Sequence, residues 1–177
     1  KLRDSKIIIA GGQENMSLSP HAIHLRDGKK LGDAEIVDTM IKDGLWDAFN
    51  GYHMGVTAEN VATKFKITRE EQDKFALNSQ EKALRACREN KFENEIVDFK
   101  IKSVKSEITF NKDEHPREGV SLEALTRLKP VFKKNGTVTA GNASGINDGA
   151  AVVALMSAEE AKKREIEELV AIKSWAS

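Results

Sequence analysis

The stretch Thr137–Ala151, TVTAGNASGINDGAA, holds the residues best suited to meeting a ligand. Small side chains let backbone amides come close to a bound group. Ser144 adds a hydroxyl, and Asn142 and Asn147 add amides. A tight connection whose glycines serve only the backbone would look the same. Upstream, Gly51-Tyr52-His53-Met54-Gly55 sets an imidazole beside a flexible thioether. That pair suits the wall of a channel for a thin, partly apolar ligand. A packed turn with one satisfied histidine is the plainer alternative. Arg117, Arg127, Lys129, Lys133 and Lys134 surround Leu128, Val131 and Phe132. Cations for phosphate and apolar faces for adenine could seat a nucleotide, although a charge run is usually a solvated face.

The remaining reactive types are less promising. His21 and His24 are three apart, but they lie in an aperiodic segment without a nearby carboxylate or cysteine pair, so no metal site is expected. Cys87 would need a lowered pKa to act as a nucleophile. It falls late in a helical pattern, where the helix dipole opposes a thiolate, and it reads as a buried or edge packing residue.

The elements that must position these groups follow from periodicity. Ile7–Ala10 is wholly apolar and suits a strand covered on both faces, with Gly11-Gly12 ending it in a sharp turn. Gln13 to Leu31 has no period and reads as an irregular excursion. Asp33 to Gly44 carries Ile36, Val37, Met40 and Ile41 at helix-face spacing. A second helix is expected from about Thr57, with Ala58, Val61, Ala62 and Phe65 on one face. Thr68-Arg69-Glu70-Glu71 has the capping-box pattern, followed by Phe75, Ala76, Ala83 and Cys87 at helical steps to about Asn90. Glu70 with Lys74, and Glu81 with Arg85, are i,i+4 pairs.

Val97–Ile101 and Ile108–Phe110 read as strands, with a charged loop from Asn111 to Gly119. Leu122 to Leu128 is a short helical turn, and Thr137–Ala140 a further strand. Gly141–Gly145 is a turn and Ala151–Met156 a buried strand. Ser157 caps a last helix reaching about Arg164, and Val170–Trp175 reads as one more strand. The order is core strand, long α+β excursion, core strand. An insertion between two strands of one sheet gives this order, and so does an ordinary α+β domain.

Composition sets the outer bounds. The chain has 177 residues, 40% hydrophobic and 32% charged, with 28 basic and 28 acidic side chains and zero formal net charge. Zero net charge offers no broad electrostatic case for nucleic acid or an anionic membrane. The longest apolar run, Ala150–Leu155, is far shorter than a membrane span. One cysteine excludes an internal disulfide and fits a reducing, cytoplasmic setting. Apolar residues close to both ends suggest strands cut from a larger sheet, hence a fragment of a longer polypeptide.

Six ordered blocks carry a resemblance: AGGQENMSLSPHAIHLR, DTMIKDGLWDAF, GYHMGVTAEN, REEQDKFALNSQ, EGVSLEALTRLKPVF and GTVTAGNASGINDGAA. Together they resemble the biosynthetic-type thiolases, the acetyl-CoA acetyltransferases, through almost the whole chain. The resemblance implies an α/β fold of αβαβα layers built from two similar halves. Residues 1–15 and 147–167 would close the N-terminal half. Residues 16–146 would form an inserted α+β loop domain, with a tetramerisation loop near 16–35. Residues 168–177 would begin the C-terminal half.

The resemblance also implies chemistry and roles. The reaction is 2 acetyl-CoA to acetoacetyl-CoA and CoA, by cysteine-mediated acyl transfer and Claisen condensation. The catalytic cysteines and histidine match nothing in this chain, so it alone is expected to be inactive. His53 and Met54 would line the pantetheine channel, with Leu45 nearby. Arg117 would approach the nucleotide phosphates or adenine, and Leu128 and Phe132 would form the apolar nucleotide seat. Ala140 and Ser144 would meet pantetheine through a carbonyl and a hydroxyl. Ala124 departs from the serine that close relatives often carry near adenine. The implied partners are acetyl-CoA, acetoacetyl-CoA and CoA as substrates, with no tightly bound cofactor and no metal. A homo-oligomer, a dimer of dimers, is implied in the cytoplasm. The alternative is a stand-alone CoA-binding or assembly module without activity.

Overall fold

The computed structural model describes residues 4–102 and 106–176. The outermost parts of the two terminal segments, residues 1–3 and 177, lie outside the described residues. The chain forms two compact units, Lys1–Ser19 with Ile146–Ser177, and Pro20–Gly145.

The first unit is an antiparallel strand pair with a short helix. Strand β1 (Ile7–Glu14) zips onto β8 (Gly149–Met156), from Ile7 opposite Met156 to Glu14 opposite Gly149. Gly11-Gly12 therefore does not end the strand, contrary to the turn expected there. Gly11 is needed for close approach: a Cβ on it would lie 2.5 Å from the Ala151 carbonyl oxygen and 2.8 Å from a Val152 methyl. The open end of the pair is pinned by Asp148, whose carboxylate accepts from the Ser17 hydroxyl at 2.7 Å and the Ser17 amide at 3.0 Å. Those two bonds, the hydroxyl first, hold the Asp148 carboxyl below its ordinary value. After β8, the Ser157 hydroxyl accepts from the Glu160 amide and starts helix α4 (Ala158–Lys163).

Three strand expectations fail in this unit. Ile7, Ile8 and Ile9 are 37, 51 and 68% exposed rather than covered on both faces, and the strand expected to be buried at Ala151–Met156 exposes Val152 and Val153. Val170–Trp175 is not a strand, because no described strand runs beside it to complete a ladder.

The second unit opens with two small ribbons. Strand β2 (His21–Ile23) pairs antiparallel with β3 (Ile36–Asp38). This replaces the helix expected from Asp33, and it puts order into the Gln13–Leu31 excursion. The helical pattern starts only at Met40, because the Asp38 carboxylate accepts from the Met40 and Ile41 amides and opens a π-helical stretch, Met40–Leu45. Strands β4 (Trp46–Asp47) and β5 (Tyr52–His53) follow as a ribbon. Asp47 closes their turn by accepting from Asn50 and from the Phe49 amide.

Helix α1 (Met54–Phe65) begins three residues earlier than expected, and α2 (Arg69–Arg88) carries the capping box with both bonds formed between Thr68 and Glu71. The expected apolar faces are only partly buried: Ala62 is buried and Ala76 and Ala83 half-buried, but the large apolar side chains on them are exposed. On α1, Val61 is 44% and Phe65 64% exposed, while Gly55, Glu59 and Ala62 are buried. On α2, Phe75 is 76% exposed and Cys87 is exposed, correcting its reading as a packing residue, whereas Asp73 is fully buried. Lys74 pairs with Glu70 at 2.8 Å, but no ion pair joins Glu81 to Arg85.

Strands β6 (Phe99–Lys102) and β7 (Glu107–Phe110) form close to the two strands expected there, pair antiparallel and are exposed along their length, and α3 (Leu122–Thr126) is the expected short helix, capped by Ser121. Thr137–Ala140 is not a strand; its amides are taken by side chains instead. No described helix is long and apolar enough to cross a membrane.

Gly11→Ala is expected to destabilise the protein by about 1–3 kcal/mol, because backbone atoms must move to admit the methyl group. Gly12→Ala, where a Cβ meets nothing within 4 Å, is expected to stay within about 1 kcal/mol of the parent. Urea unfolding midpoints of the two variants compare them directly.

Candidate functional site

The segment from Val131 to Gly145 has little regular structure, so its backbone groups need partners from elsewhere. Helix α1 supplies the first. Glu59 is 3% exposed, and its carboxylate accepts from the Thr137 amide at 2.8 and 3.0 Å, the Val138 amide at 2.8 Å and the Thr137 hydroxyl at 3.0 Å. Burial alone raises its pKa. The Val138 and Thr137 amides, the Thr137 hydroxyl and the nearby Lys133 charge outweigh that, so the carboxyl sits below its ordinary value. The Val131 amide closes the loop base by donating to the Val138 carbonyl at 3.1 Å.

Helix α2 supplies the second set. Asp73 accepts from Arg69 Nε at 2.8 Å and from Asn142 Nδ2 at 2.9 Å. Arg69 Nη2 donates to the Leu125 and Leu128 carbonyls at 2.7 and 3.0 Å. Leu125 lies in the last turn of α3, where its carbonyl also accepts from the Leu128 amide at 3.0 Å, and Leu128 follows the helix. Asn142 uses its whole amide: Nδ2 also donates to the Thr137 carbonyl at 3.0 Å, and Oδ1 accepts from the Thr139 amide at 2.8 Å. Gln72 Nε2 donates to the Thr137 hydroxyl at 2.9 Å. Among the described residues no buried side-chain polar atom is left without a partner.

On this frame, the sequence-predicted site residues fall as follows. His53 ends β5 and caps α1, with Nδ1 accepting from the Gly55 amide at 2.9 Å. In the neutral ring the proton therefore sits on Nε2, which is left as a donor. The imidazole stacks on the Phe132 ring, centroids 4.7 Å apart and planes 28° apart. Gly55 makes room for that ring, since a Cβ there would lie 2.3 Å from it. Met54 is the first residue of α1 and 54% exposed. Leu45 is half-buried and precedes Trp46, the ribbon partner of His53.

Leu128 packs at Gly141, where a Cβ would come within 2.6 Å of both Leu125 and Leu128. Ala140, beside Gly141, is exposed. Ser144 is exposed and its hydroxyl donates to the Gly145 carbonyl at 3.1 Å. Arg117 is held by its backbone, its amide donating to Gln80 Oε1 at 3.0 Å. No hydrogen bond or ion pair joins Arg117 or Ser144 to the other site residues, and the Arg117 guanidinium forms no ion pair among the described residues. No described cluster of His, Cys, Asp and Glu could hold a metal ion, and His21 lies on β2, not on a helix.

Sequence reasoning missed the residues that build the frame: Glu59, Arg69, Gln72 and Asp73. The available signal was a carboxylate at i+4 from Gly55 and i−3 from Ala62, on the stripe that ends up buried.

An α/β chain with this strand–excursion–strand order is matched over residues 1–159 by the family described as "Thiolase, N-terminal domain". The chain belongs to the thiolase family and has the thiolase fold. It is 56% identical over 174 residues to the acetyl-CoA acetyltransferase of Rhizobium meliloti (strain 1021), covering 98% of this chain and 44% of that protein. The solved acetyl-CoA acetyltransferase of Syntrophomonas wolfei is 44% identical with a TM-score of 0.87, covering 94% of this chain and 42% of that one. The acetyl-CoA acetyltransferase of Bacillus anthracis is 47% identical with a TM-score of 0.83, covering 92% and 41%. The chain spans less than half the length of the curated relatives it matches.

Asp73→Ala is expected to cost roughly 3–5 kcal/mol, because Arg69 and Asn142 both lose a buried acceptor; denaturant titration measures it. The lowered Glu59 pKa predicts acid sensitivity of a definite sign. Its contribution is fully present above the ordinary carboxyl value of 4.5 and is lost as pH falls through the lower folded value. Unfolding midpoints taken from pH 6 to pH 3 should fall more steeply in the parent than in Glu59→Gln.

Proposed function

We propose that this chain is part of an acetyl-CoA C-acetyltransferase that joins two acetyl-CoA molecules into acetoacetyl-CoA and CoA, and that its share of the work is to hold the CoA thioester. The observation that carries the reading is the 56% identity, over 98% of the chain, to a protein bearing that name. The geometry supports it: a stacked imidazole–phenyl pair and an exposed Ala140–Ser144 turn are both fixed by a hydrogen-bonded frame.

In this reading His53, Met54 and Leu45 face the pantetheine arm, which is thin and partly apolar. Leu128 and Phe132 face the adenine, and the unpaired guanidinium of Arg117 faces phosphate. The Ala140 carbonyl and Ser144 hydroxyl meet the pantetheine amides. A cysteine thiolate of the whole enzyme takes the acetyl group from one thioester and releases CoA. A second cysteine removes an α-proton from the other acetyl-CoA, whose carbon attacks the acyl group and expels the first thiolate. The one cysteine present here, Cys87, is exposed on α2 and takes neither role. The isolated chain is inactive.

The same proposal assigns residues 1–15 and 147–167 to the N-terminal half, 16–146 to the CoA-binding loop domain and 168–177 to the start of the C-terminal half. It places a tetramer contact near residues 16–35 of a cytoplasmic dimer of dimers. The substrate is the only coenzyme required.

Steady-state kinetics of the full-length enzyme test the reading. Arg117→Ala should raise KM for acetyl-CoA by roughly tenfold, the worth of one charge-assisted hydrogen bond, and Ser144→Ala by about threefold. Unchanged KM in both variants, or acetoacetyl-CoA thiolysis by the isolated 177 residues, would overturn it.

A further inference from the structure

Helix α1 does two things with one face. Its first turn carries His53 as cap and Gly55 as the gap into which Phe132 fits. One turn later, Glu59 takes the Thr137 and Val138 amides and the Thr137 hydroxyl. Glu59 also lies against Gly136, where a Cβ would be 2.3 Å from its Oε1. The segment between Phe132 and Val138 is therefore held at both ends by the same helix, and its base is closed by the Val131–Val138 bond. Asn142 then takes the Thr137 carbonyl and Thr139 amide and carries the registration to the turn that exposes Ala140.

From this geometry we infer that Glu59 is a positioning residue for CoA binding: its carboxylate sets Phe132 on His53 and sets the Ala140–Ser144 turn, so it controls affinity for the carrier rather than the chemistry. The inference rests on the reading that these residues face CoA. Glu59 is 3% exposed and every donor aimed at it is a loop group, so it acts through the loop and not on the substrate. A carboxylate is required for this work. It offers acceptor sites to all three donors, whereas the amide of a glutamine would turn an N–H against one of them. Thr137 is the second link, because its hydroxyl donates to Glu59 and accepts from Gln72.

The test uses full-length enzyme and two thioesters: acetyl-CoA, and S-acetyl-N-acetylcysteamine, which lacks the nucleotide and most of the pantetheine. Glu59→Gln is expected to raise KM for acetyl-CoA about tenfold with kcat changed less than about threefold, and to leave KM for the short thioester near the parent value. Thr137→Val, which keeps both backbone amides, should show the same split at about threefold, and it serves if Glu59→Gln does not fold. Glu59→Asp should recover part of the loss. If both thioesters suffer alike, or if Thr137→Val and Glu59→Gln leave both KM values unchanged, Glu59 is no positioning residue. Arg117→Ala run beside them separates the two claims. A raised KM there with unchanged Glu59→Gln defeats this inference alone, while no change in any variant defeats the CoA reading itself.

Discussion

The second unit depends on carboxylates in places where an apolar core was expected. Only a few of its described hydrophobic residues are buried, Ala62, Leu125 and Val138 among them, and beside them stand Glu59, Asp73 and Thr139. A buried carboxylate is costly unless its lone pairs are filled. Glu59's are filled by two amides and a hydroxyl of an otherwise unsupported loop, and Asp73's by the Arg69 and Asn142 side chains. The requirement runs both ways: the loop's amides need acceptors, and the acceptors need donors. Strand or helix would have met the loop's needs with its own backbone. Side chains of α1 and α2 meet them instead, leaving the loop free to take a shape that no regular element has.

That arrangement has a functional logic. Under the proposed reading, a surface that fits a long carrier gains when it is ordered before the ligand arrives, since less freedom is lost on binding. The His53–Phe132 stack is half-buried and Ala140 is exposed, and both are anchored by bonds from beneath, the Gly55 amide to His53 and the Thr139 amide to Asn142. Arg117 follows the same plan. Its backbone is tied to Gln80, while its guanidinium keeps its donors unspent.

Local signals in the sequence were readable where the physics is local. The capping box at Thr68–Glu71, the Ser157 cap and the short α3 depend on neighbours within a few residues, and each stands where its pattern put it. Readings that needed a distant partner failed. Thr137–Ala140 has strand composition, but Glu59, 78 positions away, claims its amide. Gly11-Gly12 resembles a turn, yet the facing Val152 makes it the closest point of a strand pair. The apolar residues of α1 and α2 marked the buried faces only in part, Ala62 but not Phe65 or Phe75, because periodicity counts carboxylates as outward and cannot know that distant donors wait for Glu59 and Asp73. In the site, His53 and Phe132 were legible as residue types. Their contact was not, because it depends on Gly55 being too small to prevent it.

The bond between Ser17 and Asp148 joins positions 131 apart. Closing so long a loop in a flexible chain costs roughly 4 kcal/mol in entropy beyond the constant term. A segment that has already condensed holds its ends at a fixed separation and removes most of that cost. The β1–β8 zipper is therefore a late event in folding: nearby helices and hairpins form first, and the widely separated strands meet only once the material between them has collapsed. Until then the backbone amides and carbonyls that β1 and β8 exchange remain open to other chains, which makes the period before closure the one in which a chaperone matters most.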